Sequence, residues 1–233
     1  GRELIELDAE NILLAELNLR AGRKAKTLLA YSSALKFLNA GLTLLGPESW
    51  QHYYYDLTLE LHIETIETAY LNTDFAKADH LATLVLRHAK TALDTVKVYE
   101  TQILFYSSQN NMSAAIETAL EILTKLGICW CDKPPTMSIA AFSQLPDMTN
   151  PVTLSALRVL MVTGPAVYIT TPELFPRFVF TMLDLCSNYG NTAVSAFSYA
   201  GYGLILSASL GDVETGYQAG KLALNLVERF GAK

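Results

Sequence analysis

The sequence has few cysteines. Its 233 residues include three, Cys129, Cys131 and Cys186. A sparse, odd set of cysteines is typical of reduced intracellular thiols, and it does not supply the paired framework of a small secreted domain. We therefore expect a cytoplasmic protein.

Basic residues are also scarce. Lys and Arg number 17 against 23 Asp and Glu, which gives a formal net charge of -6. Nucleic-acid binding needs clustered basic side chains in excess to neutralise phosphates, so we expect no nucleic-acid partner. The 51% hydrophobic content allows a sizeable core and excludes disorder as the dominant state.

Motifs for nucleotide and hydrolytic chemistry are missing from the chain. It contains no GxxxxGK[ST], GxGxxG, GxSxG or HExxH. Residues 129–131 read Cys-Trp-Cys, with one intervening residue where a redox motif has two, and without the second ligand pair of a zinc site. We expect no catalytic residue, cofactor site or metal site in this segment.

One long stretch, residues 185–211, lacks Asp, Glu, Lys and Arg. Its length would suffice to cross a bilayer. It is nevertheless rich in small and polar residues, and Asn188, Gly190, Asn191 and Thr192 are typical of a turn. We predict buried helix interrupted by a turn, and no membrane span.

The chain does contain a recurring helix-turn-helix signature, which is clearest at residues 70–79. There a polar turn precedes Phe75, and Ala78 follows three positions later, as in a tetratricopeptide-type repeat. Three further units align in the same way: Tyr31 with Ala34, Met112 with Ala115, and Val213 with Gly216. Their spacing exceeds the roughly 34 residues of an ideal repeat, which indicates long helices or insertions.

These units predict an all-α fold, a tetratricopeptide-like right-handed superhelix of antiparallel helix pairs. We expect helices over residues 50–71, 75–92 and 112–126. Asp74, and either Asn111 or Ser113, would cap the second and third of these helices. Strand alternation is absent, so we expect no sheet.

Prolines divide the sequence. Pro134, Pro135, Pro146 and Pro151 interrupt the helical rhythm and leave room for one short helix over residues 137–145. We predict tetratricopeptide-like repeats over 1–129, a proline-rich connector over 130–151, and a second, more apolar half over 152–233. In that half, Asn150-Pro151, Thr171-Pro172 and Gly211-Asp212 each predict a helix start.

Charged residues on two predicted helices form a candidate interaction surface. Glu60, Glu64 and Glu67 share one helix face, and repeat register places Arg20 and Arg23 opposite Glu64 and Glu67. We interpret the charges as cross-repeat ion pairs that line a groove, or alternatively as a solvated surface. The candidate groove residues are Arg20, Arg23, Glu60, Glu64, Glu67 and Tyr70.

Two segments carry a family resemblance: residues 15–26, AELNLRAGRKAK, continued through 31–41, and residues 202–217. Together they resemble the helical region of large, chiefly cyanobacterial, multi-sensor signalling kinases, from about residue 8 onward. In that family a Ser/Thr kinase-like domain and an AAA-type, STAND-like ATPase precede the helical region, and GAF and histidine-kinase modules follow it. The match is one of pattern, and no catalytic residue of the family has a counterpart here.

The resemblance implies a non-catalytic scaffold that binds proteins, or other domains of its own chain, and couples signals inside a multidomain kinase. We expect the sequence to be a piece of such a protein. One alternative is a sensor domain of a STAND-type transcription regulator. Another is a helical enzyme domain with an apolar pocket around Tyr168, Phe178, Tyr199 and Tyr202. The sequence does not specify the oligomeric state.

Overall fold

The computed structural model describes residues 2–50 and 54–231, and describes only the backbone of residues 2–8 and 47. Within these ranges the chain forms α-helices and two short 3-10 helices but no strand, so the fold is all-α as predicted. The described residues divide into two compact units, Gly1–Thr101 and Gln102–Lys233.

The first unit is built from helix pairs. Its described helices are α1 (Arg2–Thr27), α2 (Tyr31–Leu45), α3 (Tyr55–Leu71), α4 (Phe75–His88) and the first part of α5 (Ala92–Ser108). Helix α1 packs on α2, α3 packs on α4, and α3 also contacts both helices of the preceding pair. The buried side chains of Leu19, Leu38 and Leu61 join these pairs.

The second unit repeats this order of contacts. Its remaining helices are α6 (Met112–Lys125), α7 (Ile139–Ser143), α8 (Pro151–Thr170), α9 (Phe175–Tyr189), α10 (Ser195–Ser209) and α11 (Val213–Arg229). Helix α8 contacts α6, α9 and α10, and α10 contacts both α9 and α11. The predicted connector over 130–151 lies inside this unit, and the division at residues 129 and 151 stays a prediction.

The same turn conformation connects the two helices in three of the helix pairs. Leu29, Thr73 and Asn110 adopt left-handed conformations, with φ of 60°, 61° and 58°. The next residue in each turn donates its N–H to a carbonyl five positions back, at 2.8 to 3.0 Å. This is the Schellman geometry of a helix end. The residue that closes one helix also occupies the N-cap position of the next.

The predicted repeat positions coincide with these turns. Tyr31, Phe75 and Met112 begin α2, α4 and α6, and the small residue three positions later is fully buried in each case: Ala34, Ala78 and Ala115. A larger side chain there would collide with the partner helix, which explains the small residue. Val213 and Gly216 hold the same places in α11, after Gly211 with φ of 71°.

Most of the predicted caps are confirmed. The side chains of Asp74, Asn111, Asn150 and Asp212 each accept a hydrogen bond from the backbone N–H three residues later. Thr171 differs, because its hydroxyl bonds back to the Val167 carbonyl and makes no cap. Residues Pro172–Leu174 form a 3-10 helix, and α9 begins at Phe175.

Two predicted helices have one wrong bound each, and a third helix is shorter than the segment predicted to hold it. The helix predicted over 50–71 begins at Tyr55. Pro47–Trp50 is a 3-10 helix, and residues 51–53 lie outside the described ranges. The helix predicted over 75–92 ends at His88, because the Asp94 carboxylate accepts from the N–H groups of Lys90 and Thr91 and starts α5. The helix predicted over 137–145 is shorter, Ile139–Ser143, and is capped by Ser138.

The uncharged stretch 185–211 is interrupted at the predicted turn. Gly190 ends α9 with φ of 104°, and an added Cβ would lie 2.3 Å from the Pro146 carbonyl oxygen. Asn191 is fully buried; its amide nitrogen donates to the Phe142 carbonyl and its amide oxygen accepts from the Tyr199 hydroxyl. These bonds tie the α9–α10 turn to α7 and α10.

Helix α8, not this stretch, is the described helix long and apolar enough to cross a membrane by length and composition. Over half of its most apolar window is buried within the protein. Core helices and signal sequences also meet this criterion.

Candidate functional site

A row of ion pairs connects α1 to α3. The Arg23 guanidinium donates from Nε to Glu64 at 2.8 Å and from its terminal nitrogen to Glu60 at 3.0 Å. Lys26 Nζ donates to Glu64 and Glu67, each at 2.5 Å. Successive carboxylates on α3 are about one helical turn apart, and so are the two cations on α1. We call Arg23, Lys26, Glu60, Glu64 and Glu67 the α1–α3 ion-pair row.

Burial and pairing act in opposite directions on this row. Burial raises the pKa of Glu64, but hydrogen bonds from Lys26 and Arg23 outweigh it and leave the pKa below its usual value. Burial lowers the pKa of Lys26, and its bonds to Glu64 and Glu67 reverse that effect. Glu64 is therefore a firmly ionised carboxylate, which suits charge pairing and not proton transfer near neutral pH.

Beside the ion-pair row, α1 and α3 form an open cleft of about 530 Å³. Apolar side chains of both helices make its walls, and charged side chains line it: Glu16, Arg20, Arg23, Asp56 and Glu60. The geometry brings three of the predicted groove residues, Arg20, Arg23 and Glu60, around this single cleft.

Arg20 is exposed and makes no ion pair with any residue that the structure describes, contrary to the predicted pairing. The reason is helical phase. Arg23 and Lys26 are three residues apart and both point at α3, so Lys26 takes the place assigned to Arg20 and is the partner of Glu67. Arg20 contributes a cation to the cleft.

Tyr70 contacts α4, not the cleft. Its hydroxyl donates to Asp79 at 2.7 Å, and its ring packs near Phe75 and the buried residues Ala69 and Ala78. A tyrosine at the end of α3 lies next to the turn into α4, and this position explains the contact. Tyr70 does not line this cleft, and its part in an interaction surface stays a prediction.

The second unit contains an apolar groove of about 350 Å³ between α8 and α10. Its lining is Gly164, Pro165, Tyr168, Phe175, Phe197, Ala200, Gly201 and Leu204. Of the four aromatic residues predicted to form an enzyme pocket, only Tyr168 lies here. Phe178 packs on Trp130, the Tyr199 hydroxyl donates to Asn191, and Tyr202 packs against Phe180.

This apolar groove lacks the convergent polar groups of a typical small-ligand site. Tyr199 is fully buried with a raised pKa, chiefly from burial, and burial also raises the pKa of Cys186 to about 11. Both groups are hydrogen-bonded inside the core, where they are inert. No group of three His, Cys, Asp or Glu among the described residues could hold a metal ion.

Sequence reasoning missed Lys26. The available signal was the three-residue spacing of Arg23 and Lys26 on α1, which matches the three- and four-residue spacing of the glutamates on α3. Glu16 and Asp56 were also missed, since their place in the cleft depends on how the two helices cross.

Comparison with known proteins gives one informative match. The chain is 21% identical, over an alignment of 273 residues, to Hybrid signal transduction histidine kinase G of Dictyostelium discoideum. The alignment covers 99% of this chain and 8% of that protein. No protein-family model and no solved structure matches. The chain is thus distantly similar to a signal-transduction kinase along nearly its whole length.

Proposed function

We propose that this chain is a non-catalytic helical segment that binds other protein domains and couples signals inside a larger signalling histidine kinase. One observation carries the proposal: nearly all of the chain aligns with a small fraction of a hybrid histidine kinase. Catalytic domains would occupy the remainder of such a protein. The match favours the kinase over the transcription-regulator alternative.

The arrangement of helices supports a scaffold role. Within each unit, successive pairs contact one another in the order expected of stacked repeats, and three pairs share one turn conformation. We propose that the pairs are tetratricopeptide-like repeats of a right-handed superhelix, as in scaffolds that present grooves to partners. We propose that the chain works in the cytoplasm and without a cofactor.

The coupling mechanism is a shift in populations. A domain that docks on the α1–α3 cleft would contact both helix pairs at once. It would thereby favour one packing of the pairs over another, to the extent that its affinity for the two differs. Arg20 supplies an exposed cation for this contact, and its replacement should leave the ion-pair row intact.

The test is made in the full-length parent kinase. Arg20→Glu should change signal-dependent autophosphorylation about fivefold or more, the lower range of typical allosteric coupling. Arg87→Glu is the matched control, since Arg87 is an exposed arginine in the last turn of α4. The purified 233-residue chain should neither hydrolyse ATP nor transfer phosphate.

Two results would contradict the proposal. One is phosphotransfer by the isolated chain. The other is a parent kinase whose regulation is unchanged after residues 1–233 are deleted and the flanking domains are rejoined by a flexible linker.

A further inference from the structure

Helix α11 carries two apolar faces. The first consists of buried small and aliphatic residues, Gly216, Ala219, Leu222, Ala223 and Leu226. This face packs on α10, and an added Cβ at Gly216 would lie 2.9 Å from the Gly203 carbonyl oxygen. The first face is fully accounted for by the fold.

The second face is exposed. Val213, Tyr217, Gly220, Leu224 and Val227 follow one another at intervals of four, three, four and three residues. The side chains of Val213, Tyr217 and Leu224 are 65%, 63% and 66% exposed. At about 100° per residue this stripe is centred about 120° around the helix from the α10 face. We call it the α11 stripe.

Helix α9 gives the buried arc of a helix in this unit that has a long helix on each side. It lies between α8 and α10 and buries residues over an arc of about 200°, from Thr181 to Leu183 by helical phase. The buried residues of α11 span about 120°. Helix α11 contacts α10 and the short helix α7, so the α11 stripe corresponds to the part of the arc that a further long helix would cover.

A row of charges borders the stripe on its solvent side. Glu214, Lys221 and Glu228 are exposed and seven residues apart, so they form an acidic, basic, acidic edge parallel to the stripe. None of them has an ion pair with another residue in the described ranges, and Glu214 accepts a hydrogen bond from Gln218. Such edges select partners for helix pairing.

This edge disfavours an antiparallel second copy of the chain as the occupant. An antiparallel two-fold pair centred on the stripe would bring Lys221 opposite its own counterpart and Glu214 opposite Glu228. Like charges would then face each other at all three positions, which is unfavourable. A partner helix with a basic, an acidic and a basic residue along its edge would place an opposite charge next to Glu214, Lys221 and Glu228.

From these observations we infer that the α11 stripe docks an amphipathic helix with apolar residues at three- and four-residue spacing and a basic, acidic, basic edge. This inference rests on the proposed function, because it names the kind of partner that the scaffold binds. The packing would extend the α9–α10 mode by one helix.

The test uses the 233-residue chain and two labelled synthetic helical peptides. Both peptides carry the same Leu stripe; one has Lys, Glu, Lys at seven-residue spacing along the edge, and the other has Glu, Lys, Glu. Binding is measured by fluorescence anisotropy at low salt. The Lys, Glu, Lys peptide should bind about tenfold more tightly, and the difference should shrink as salt is added.

Variants locate the binding. Leu224→Lys should weaken binding of the Lys, Glu, Lys peptide about tenfold or more, as expected for a central contact residue. Ile169→Lys on α8 is the matched control, since Ile169 is 67% exposed, and should leave binding unchanged. Circular dichroism checks that both variants are folded.

Three results would overturn the inference: equal or absent binding of the two peptides, equal effects of the two variants, or a dimer of the chain alone that Leu224→Lys dissociates. The last result would make a second copy the occupant. Peptide binding involves neither ATP nor phosphotransfer, so a failure of the kinase proposal leaves this measurement interpretable.

Discussion

At the scale of single residues, Lys26 is the centre of the α1–α3 ion-pair row. Its ammonium bonds two carboxylates while its side chain is 18% exposed, and Glu64 is 15% exposed. Partial burial makes such a pair more consequential than a surface pair, because loss of one partner leaves a poorly solvated charge. Arg23 with Glu60 is more exposed on both sides and contributes less.

Lys26→Ala should therefore lower the free energy of unfolding by about 1 to 3 kcal/mol. Chemical denaturation followed by circular dichroism measures the change. Arg20→Ala, which removes an exposed cation of the same helix, should stay within about 0.5 kcal/mol of the parent chain. Equal effects of the two variants would show that the row adds nothing to stability.

The free energy of unfolding should depend on pH in the acid range partly through the protonation of Glu64. Its pKa is lowered in the folded state, so pairing stabilises the fold above the unfolded value of about 4.5 and is lost as pH falls through the lowered folded value. Glu64→Gln should be less stable at pH 7 and should lose less stability between about pH 5 and pH 3. A parallel pH dependence of the two proteins would contradict this.

At the scale of elements, the shared turn is the main finding. Asn readily adopts the left-handed conformation, whereas a β-branched residue such as Thr does so at a cost. Thr73 and Asn110 hold equivalent places in two of the turns, at φ of 61° and 58°. They form a matched pair within one molecule.

Thr73→Gly should raise the free energy of unfolding by up to about 1 kcal/mol, because Gly relieves the strain of a positive φ by more than it gains in unfolded-state entropy. Asn110→Gly should change stability by less. Thermal unfolding of the two variants measures the difference. A larger gain at Asn110 would mean that the turns are not equivalent.

Sequence reasoning predicted the elements better than their ends. Buried Ala and a capping side chain have local signals, so the starts of α4, α6, α8 and α11 were predictable. The start of α3 and the end of α4 depend on Trp50, Tyr55 and Asp94, which interact across the fold: Tyr55 donates to Asp94 at 2.6 Å, and Trp50 packs on Tyr55. Helical phase across two helices likewise decided that Lys26, and not Arg20, pairs with Glu67.

At the scale of the whole molecule, each compact unit has its own tryptophan. Trp50 is buried in the first unit and stacks on His88, and Trp130 packs on Phe178 in the second. A substitution in one core should lower the stability of that unit first. Fluorescence of chains with a single tryptophan can therefore assign a defect to a unit.

In a Trp130→Phe background, Lys26→Ala should shift the denaturation midpoint reported by Trp50. In a Trp50→Phe background, Asn191→Ala should shift the midpoint reported by Trp130, because it removes the two buried hydrogen bonds of the Asn191 amide to Tyr199 and Phe142, at a cost of about 1 to 3 kcal/mol. Each substitution should cause a smaller shift of the midpoint that the tryptophan of the other unit reports. Equal shifts everywhere would indicate one cooperative transition.

The three turns share one backbone geometry, whereas other parts of the chain differ from one helix pair to the next. Leu29, Thr73 and Asn110 reverse the chain in the same way. The links between successive pairs differ, because residues 46–54 separate α2 from α3 whereas only residues 89–91 separate α4 from α5. The turn therefore acts as a standard joint within the pairs, and the uneven repeat spacing arises mainly in the links between successive pairs. A helix pair could be duplicated or deleted as a unit without redesign of any joint, which offers a simple route for such a chain to change its length.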